Sequence, residues 1–184
     1  MTYHSVEEIL SEKKNVLARL DDRLRTVDES LLRLRVQTDA WSIADILEHL
    51  VLAERAMLLL IESLLRKART ISEQENPSPT FEVALDDVIE RSRTAKFSTP
   101  ERFRPTDQAP IEDSLKELRE LQAQLVGLRP RLEAADLTSA SFRHWTFGPL
   151  NLGQWLAFVS HHERRHLAQI EAILESSGVR GVQS

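Results

Sequence analysis

A chain of 184 residues with 24 lysines and arginines against 29 aspartates and glutamates carries a formal charge of −5, and it contains no cysteine. That length suits one domain with a sizeable core, and the acidic balance speaks against nucleic acid or an anionic membrane as the main partner. Without cysteine neither thiolate catalysis nor thiolate metal ligation is open, so any metal must meet nitrogen and oxygen.

In chain order, Ser5-Val6-Glu7-Glu8 reads as a capping box, and Ile9, Leu10, Lys13, Val16, Leu17, Leu20 and Leu24 follow at helical spacing, which predicts a first helix over roughly 5–26. A short irregular segment holds Leu31, Leu32 and Leu34. Ser42-Ile43-Ala44-Asp45 repeats the capping logic and opens a long apolar helix to about Lys67 that contains His49. Five of the seven prolines (Pro77, Pro79, Pro100, Pro105 and Pro110) then fall between residues 70 and 110, where only Phe81 to Arg91 suits a short helix. This is a long crossover, and it carries Arg91, Arg93, Lys96, Arg102 and Arg104. It reads either as a solvated basic loop or as a lid that attracts an anionic substrate.

Pro110 at a first helical position, with Glu112 and Asp113 behind it, begins a third helix striped by Leu115, Leu118, Leu121, Leu125 and Leu128, which Pro130 kinks or ends. The last helix starts at Asn151, with Gln154 in the capping-box position, and ends near Ser177 with Gly178 as a left-handed cap. No alternating strand pattern of useful length and no internal repeat is visible. The expected architecture is all-α: a four-helix bundle over 1–184. Because a connection of about forty residues allows helices two and three to run parallel, the expected order is up-down-down-up.

The chemistry concentrates in His161-His162-Glu163-Arg164-Arg165-His166. At about 100° per residue, Trp155, Val159, His162, His166 and Ile173 share one face, so two histidines one turn apart point into an apolar stripe. Two neighbouring buried imidazoles cost desolvation unless something accepts their lone pairs, and a divalent metal does so directly. The segment formally matches the zincin pattern with Glu163 as general base, yet only eighteen residues follow His166 and they hold no further histidine. A third ligand must lie upstream. His49, on the flank of the second helix's apolar stripe, is the best candidate; the alternative is a boundary histidine bonded to a carbonyl. His161 points about 100° away from His162 toward another helix or solvent, and His4 reads as incidental. His144 sits in the loop entering the last helix and can approach the site from its end. Glu54, on the inward stripe of helix two, reads as a general base, a ligand-supporting partner or, best, half of a buried ion pair. Gln169 is a candidate support for His166 or a substrate contact.

Trp41-Ser42-Ile43-Ala44-Asp45-Ile46-Leu47-Glu48-His49-Leu50, together with His162-x-x-x-His166-Leu167-Ala168-Gln169-Ile170 and Phe147-Gly148-Pro149-Leu150-Asn151-Leu152-Gly153-Gln154-Trp155, resembles the DinB-like superfamily over nearly the whole chain. The resemblance implies a four-helix bundle with a divalent metal, commonly zinc or nickel, held by His49, His162 and His166 with one face open. It implies frequent homodimers, and relatives that are thiol-dependent transferases or isomerases. It implies no DNA binding. Three neutral nitrogens leave positions where water or a substrate thiol loses its proton near neutral pH. Two function classes are therefore expected: a metal-dependent enzyme on a small-molecule substrate, either a transferase using a low-molecular-weight thiol or a hydrolase, and a bundle that only binds a ligand or partner. Neither class involves nucleic acid or a membrane. No apolar run approaches the roughly 20 residues that span a bilayer, and the polar start Met1-Thr2-Tyr3-His4-Ser5 has no signal-peptide core, so a cytoplasmic location is expected.

Overall fold

The computed structural model describes residues 2–37, 40–71, 83–85, 99–106 and 108–177. Four long helices carry it: α1 (Val6–Leu24), α3 (Ile43–Lys67), α4 (Ile111–Gly127) and α6 (Leu152–Ser176). The short helices α2 (Glu29–Leu32) and α5 (Arg129–Glu133) lie between them. The helix starts follow the capping chemistry. Ser42 and Asp45 close a full capping box, as do Asn151 and Gln154. At α1 the box is only half made: Ser5 accepts from the Glu8 N–H, but the Glu8 carboxylate takes the N–H of His4 instead of Ser5. Pro110 stands one residue before α4 as its cap, and Pro130 neither kinks nor continues that helix but sits in the first turn of α5. Gly178 lies outside the described residues.

Helix directions follow from the pairs that join them. Arg19 meets Glu171 and Arg164 meets Glu12, so α1 and α6 run parallel. Arg119 meets Asp21 and Arg129 meets Glu7, which sets the α4–α5 stretch antiparallel to α1. Ile46 and Leu50 share a core with Ile111 and Leu118, while Leu58 and Leu64 share one with Leu121 and Leu125, so α3 and α4 run the same way. The expected up-down-down-up order is found.

Small β elements escape the sequence pattern. β1 (Thr2–Tyr3) pairs antiparallel with β2 (Val83–Ala84). The short helix expected over 81–91 is thus corrected at its described part, where Val83 and Ala84 are extended. Gly153 allows this: a Cβ there would come within 2.8 Å of Val83 Cγ2, so the strand packs directly on the start of α6. The expected loop before α6 is a hairpin, β3 (Ser141–His144) with β4 (Gly148–Asn151), pairing Ser141 with Asn151 and His144 with Gly148. Its three-residue turn hands over to Gly148 at φ +80°, a conformation glycine adopts without steric cost. The Trp155 indole N–H donates to the Phe142 carbonyl at 3.1 Å and pins the hairpin to α6. Among the described residues, no helix is long and apolar enough to cross a membrane.

The apolar interior falls into two clusters, one around Val6, Ile61, Leu125 and Leu156, the other around Leu20, Ile46, Leu118 and Ile170. Polar groups lie between them. Lys13 of α1, at 1% exposure, places its Nζ 3.0 Å from Glu54 of α3 and 2.8 Å from Glu163 of α6. Burial pushes both carboxyls up, Glu163 to about 8 with the adjacent Glu54 charge adding to the rise. Burial alone would lower Lys13, but the two carboxylates outweigh it and its pKa rises. At neutral pH one carboxylate therefore neutralises the lysine while the other carboxyl keeps its proton. Glu54 is half of a buried ion pair, the favoured reading of its sequence position.

Removing the cation leaves two carboxyls buried without a partner. Lys13→Met is expected to destabilise the fold by about 3–5 kcal/mol, and Lys13→Met combined with Glu54→Leu and Glu163→Leu to recover most of that loss. Urea unfolding midpoints measure both; a single variant within about 1 kcal/mol of wild type would show that the cluster is solvated.

Candidate metal centre

α3 and α6 face each other in opposite directions, and this brings His49 against His162 and His166. One ring nitrogen from each lies within 4.8 Å of the other two, and His49 Nε2 is 3.4 Å from His162 Nε2. His49 and His166 are buried and His162 is half-buried. The convergence expected from helical phase is found.

Hydrogen bonds set the ring tautomers. The Phe103 carbonyl can only accept, so His49 Nδ1–H donates to it at 2.8 Å and Nε2 keeps a lone pair. The Arg165 guanidinium can only donate, so His166 Nε2 accepts from it at 2.9 Å, and His166 Nδ1–H donates to Gln169 Oε1 at 3.1 Å. His162 Nδ1 is buried with no partner among the described residues. His49 therefore does bond a carbonyl, as the alternative reading had it, but through the nitrogen turned away from the cluster. The carbonyl bond leaves His49 Nε2 facing the other two histidines.

This donor set fits a divalent metal. His49 and His166 keep Nε2 lone pairs, and the 3.4 Å between His49 Nε2 and His162 Nε2 is close to the roughly 3.3 Å edge of a tetrahedron with 2.0–2.1 Å metal–nitrogen bonds. The imidazoles are also neutral, as ligation requires. Burial holds His49 below its ordinary value, and it holds His162 well below with help from neighbouring His166, His49 and Arg165. Burial and Arg165 bring His166 to about 3. Arg165 competes for the His166 lone pair, so a metal must move it aside.

Glu163 does not act as the zincin pattern suggested. One residue from His162 and about 100° round α6 from it, Glu163 ends fully buried on Lys13. His161 stays out of the cluster, as expected, but it faces neither a helix nor open solvent alone: it lines a cavity, its Nδ1 accepting from Arg164 at 3.3 Å. His4 is exposed, in keeping with an incidental role.

The described crossover segment covers the site. Thr106 gives its backbone N–H and its hydroxyl to the Glu48 carboxylate, at 2.9 and 2.6 Å, and this strap sets the one-turn 3-10 helix Glu101–Phe103 over His49. Sequence reasoning passed over Glu48 and Phe103; a carboxylate directly preceding an inward histidine was the available signal. Of the basic crossover residues, Arg102 borders the cavity beside the cluster and Arg104 is exposed, while Arg91, Arg93 and Lys96 lie outside the described residues. That cavity is about 640 Å³ and reaches His49 and His162 on one side and the β3–β4 hairpin on the other. His144 forms part of its wall, as its place before α6 suggested.

Comparison with known proteins places the chain in a family. The sequence profile of the DinB superfamily matches residues 14–170. The chain is 27% identical to the uncharacterized protein YuaE of Bacillus subtilis (strain 168) over 86% of this chain and 93% of that one. It is 22% identical to OB0413 of Oceanobacillus iheyensis, named as a proposed metal-dependent hydrolase, over 96% and 90%. Among solved structures, YfiT from Bacillus subtilis, described as "a probable metal-dependent hydrolase with an unusual four-helix bundle topology", superposes with a TM-score of 0.66 at 17% identity, covering 95% of this chain and 89% of that one. The four-helix bundle protein TT2238 gives 0.59 at 22% identity, covering 91% and 99%. At these identities the two structures speak for the fold alone. The profile match spans most of the sequence, including all three clustered histidines, and on that ground the chain belongs to the DinB superfamily.

Proposed function

We propose that this protein is a metal-dependent hydrolase of small molecules, with a divalent metal, zinc or nickel, held by His49, His162 and His166. The carrying observation is the convergence of three neutral imidazoles, two of which, His49 and His162, line a ligand-sized cavity. The names of OB0413 and YfiT support the same reading. A metal in that position supplies Lewis acidity, lowering the pKa of water or of a thiol to near neutrality. The chain's own residues do the rest. Phe103 and Gln169 hold two of the rings in the tautomer that ligation needs. Phe103, Phe158 and Trp145 exclude bulk water from the approach.

A second reading, transfer of a low-molecular-weight thiol, is favoured by one observation. None of the described residues lining the cavity is a carboxylate, so no acid side chain stands ready to take a proton from water. A thiol, with a pKa near 8.5, needs less help than water.

Elemental analysis of protein purified without a histidine tag tests the site. His162→Ala and His166→Ala are expected to abolish tight metal binding and His49→Ala to weaken it at least tenfold, whereas His161→Ala keeps wild-type stoichiometry. Equal loss from all four variants would mean that His161 ligates as well. Turnover separates the two reactions: ester hydrolysis by the zinc-loaded protein without added thiol supports the hydrolase, and turnover only with a thiol such as cysteine or glutathione supports transfer.

A further inference from the structure

The cavity carries more recognition chemistry than a reaction at three imidazoles requires. Its walls include Met57, Leu60, Phe103, Phe147, Trp155 and Phe158. Of the six large apolar side chains exposed among the described residues, three (Leu59, Phe142 and Trp145) border this same cavity. Exposed apolar surface gathered at one mouth is unfavourable in water and marks a surface that a ligand covers.

The charged part of the lining has a single sign. Arg102, Arg143 and Arg165 reach the cavity and no described aspartate or glutamate does, in a chain whose net charge is −5. Apolar walls with charge of one sign focus the field on a bound ion. The hairpin adds a fixed neutral donor. His144 is 3% exposed and stacks on Trp145 and Phe147, with ring centroids 4.0 and 4.5 Å away. Its Nδ1 accepts the backbone N–H groups of Thr146 and Phe147 at 3.1 and 3.3 Å. Burial brings its pKa to about 4, so the ring is neutral and its one proton sits on Nε2. That N–H has no partner among the described residues.

We propose that this cavity recognises amphiphilic carboxylates: small molecules with an aromatic or branched apolar body, seated against Phe103, Trp145 and Phe147, and a carboxylate that accepts from His144 Nε2–H and the rim arginines. An organic ammonium would meet three like charges. A small polar anion would leave the apolar rim in water, and a neutral hydrocarbon would leave the His144 donor unsatisfied. The inference rests on the reading of this cavity as the substrate site, but not on the metal.

Calorimetric titration of 2-naphthoate, 2-naphthylmethylammonium and acetate into zinc-loaded and chelator-treated protein tests it, with zinc content measured in parallel. Naphthoate is expected to bind both forms at least tenfold more tightly than either other probe. His144→Phe, and separately Arg102→Gln with Arg143→Gln, should each weaken naphthoate about tenfold while zinc content stays at the wild-type value. The exposed arginine pair keeps the test decisive if the histidine variant fails to fold. Tighter binding of the ammonium, equal binding of acetate, or no naphthoate binding overturns the proposal. So does naphthoate binding that vanishes with chelator and ignores both variants, since the carboxylate would then only be ligating metal. A further overturning result is absent naphthoate binding together with a dimer that Trp145→Ser converts to monomer, because the rim would then be a subunit contact. Naphthoate binding by a protein that takes up no zinc when offered it would sink the metal reading and leave the cavity's ligand class standing.

Discussion

The rest of the structure depends on one buried lysine. Lys13 sits where two apolar cores meet and draws carboxyls from two other long helices onto itself, so it fixes the rotation of α1, α3 and α6 together. A charge in that position is costly unless both partners reach it, and the requirement acts as a register constraint where apolar packing alone would tolerate slippage. Once Glu163 is turned onto Lys13, the helical repeat places His162 and His166 about 100° and 60° to one side of it, both toward α3. Glu54 does the same for His49, a little over one turn earlier on α3. The ion-pair cluster and the histidine cluster are therefore two faces of one polar layer.

The layer is completed from outside the bundle. Glu48 and His49 are adjacent in sequence and both hold the crossover, the first through Thr106 and the second through the Phe103 carbonyl. The segment that closes the cavity is thereby the same segment that fixes the His49 tautomer. A change that loosened the strap would act on ligand geometry and on access together, so residues 99–106 of the crossover belong to the site. Arg165 gives the third ring a comparable dependence, because its guanidinium lies against the very nitrogen that ligation needs.

The four long helices were legible because each carries a strong apolar stripe and a capping signal; α3 ends at Lys67 and α6 starts after Asn151, as the pattern indicates. The histidine cluster was legible for the same reason, since phase on two amphipathic helices decides which rings point inward. Glu163 was misleading. Its spacing fits a general base, and only the placement of Lys13 shows why it turns away; a lysine within the α1 stripe and a glutamate within the α3 stripe were the signals that it would. The hairpin was hidden because its strands are four residues each, too short for alternation to show, although a three-residue turn ending at Gly148 is a recognised hairpin form. The cavity was not legible at all. It forms only when the hairpin brings Trp145 beside Phe103 from the crossover, with ring centroids 6.2 Å apart.

In the proposed centre His49, His162 and His166 form one ligand set with the fourth position turned to the cavity. X-ray absorption at the zinc edge of the stoichiometrically loaded protein tests it most directly. Three imidazole nitrogens at about 2.0–2.1 Å with one or two solvent oxygen neighbours are expected. A coordination shell with fewer than three imidazoles, or one dominated by carboxylates, would contradict it.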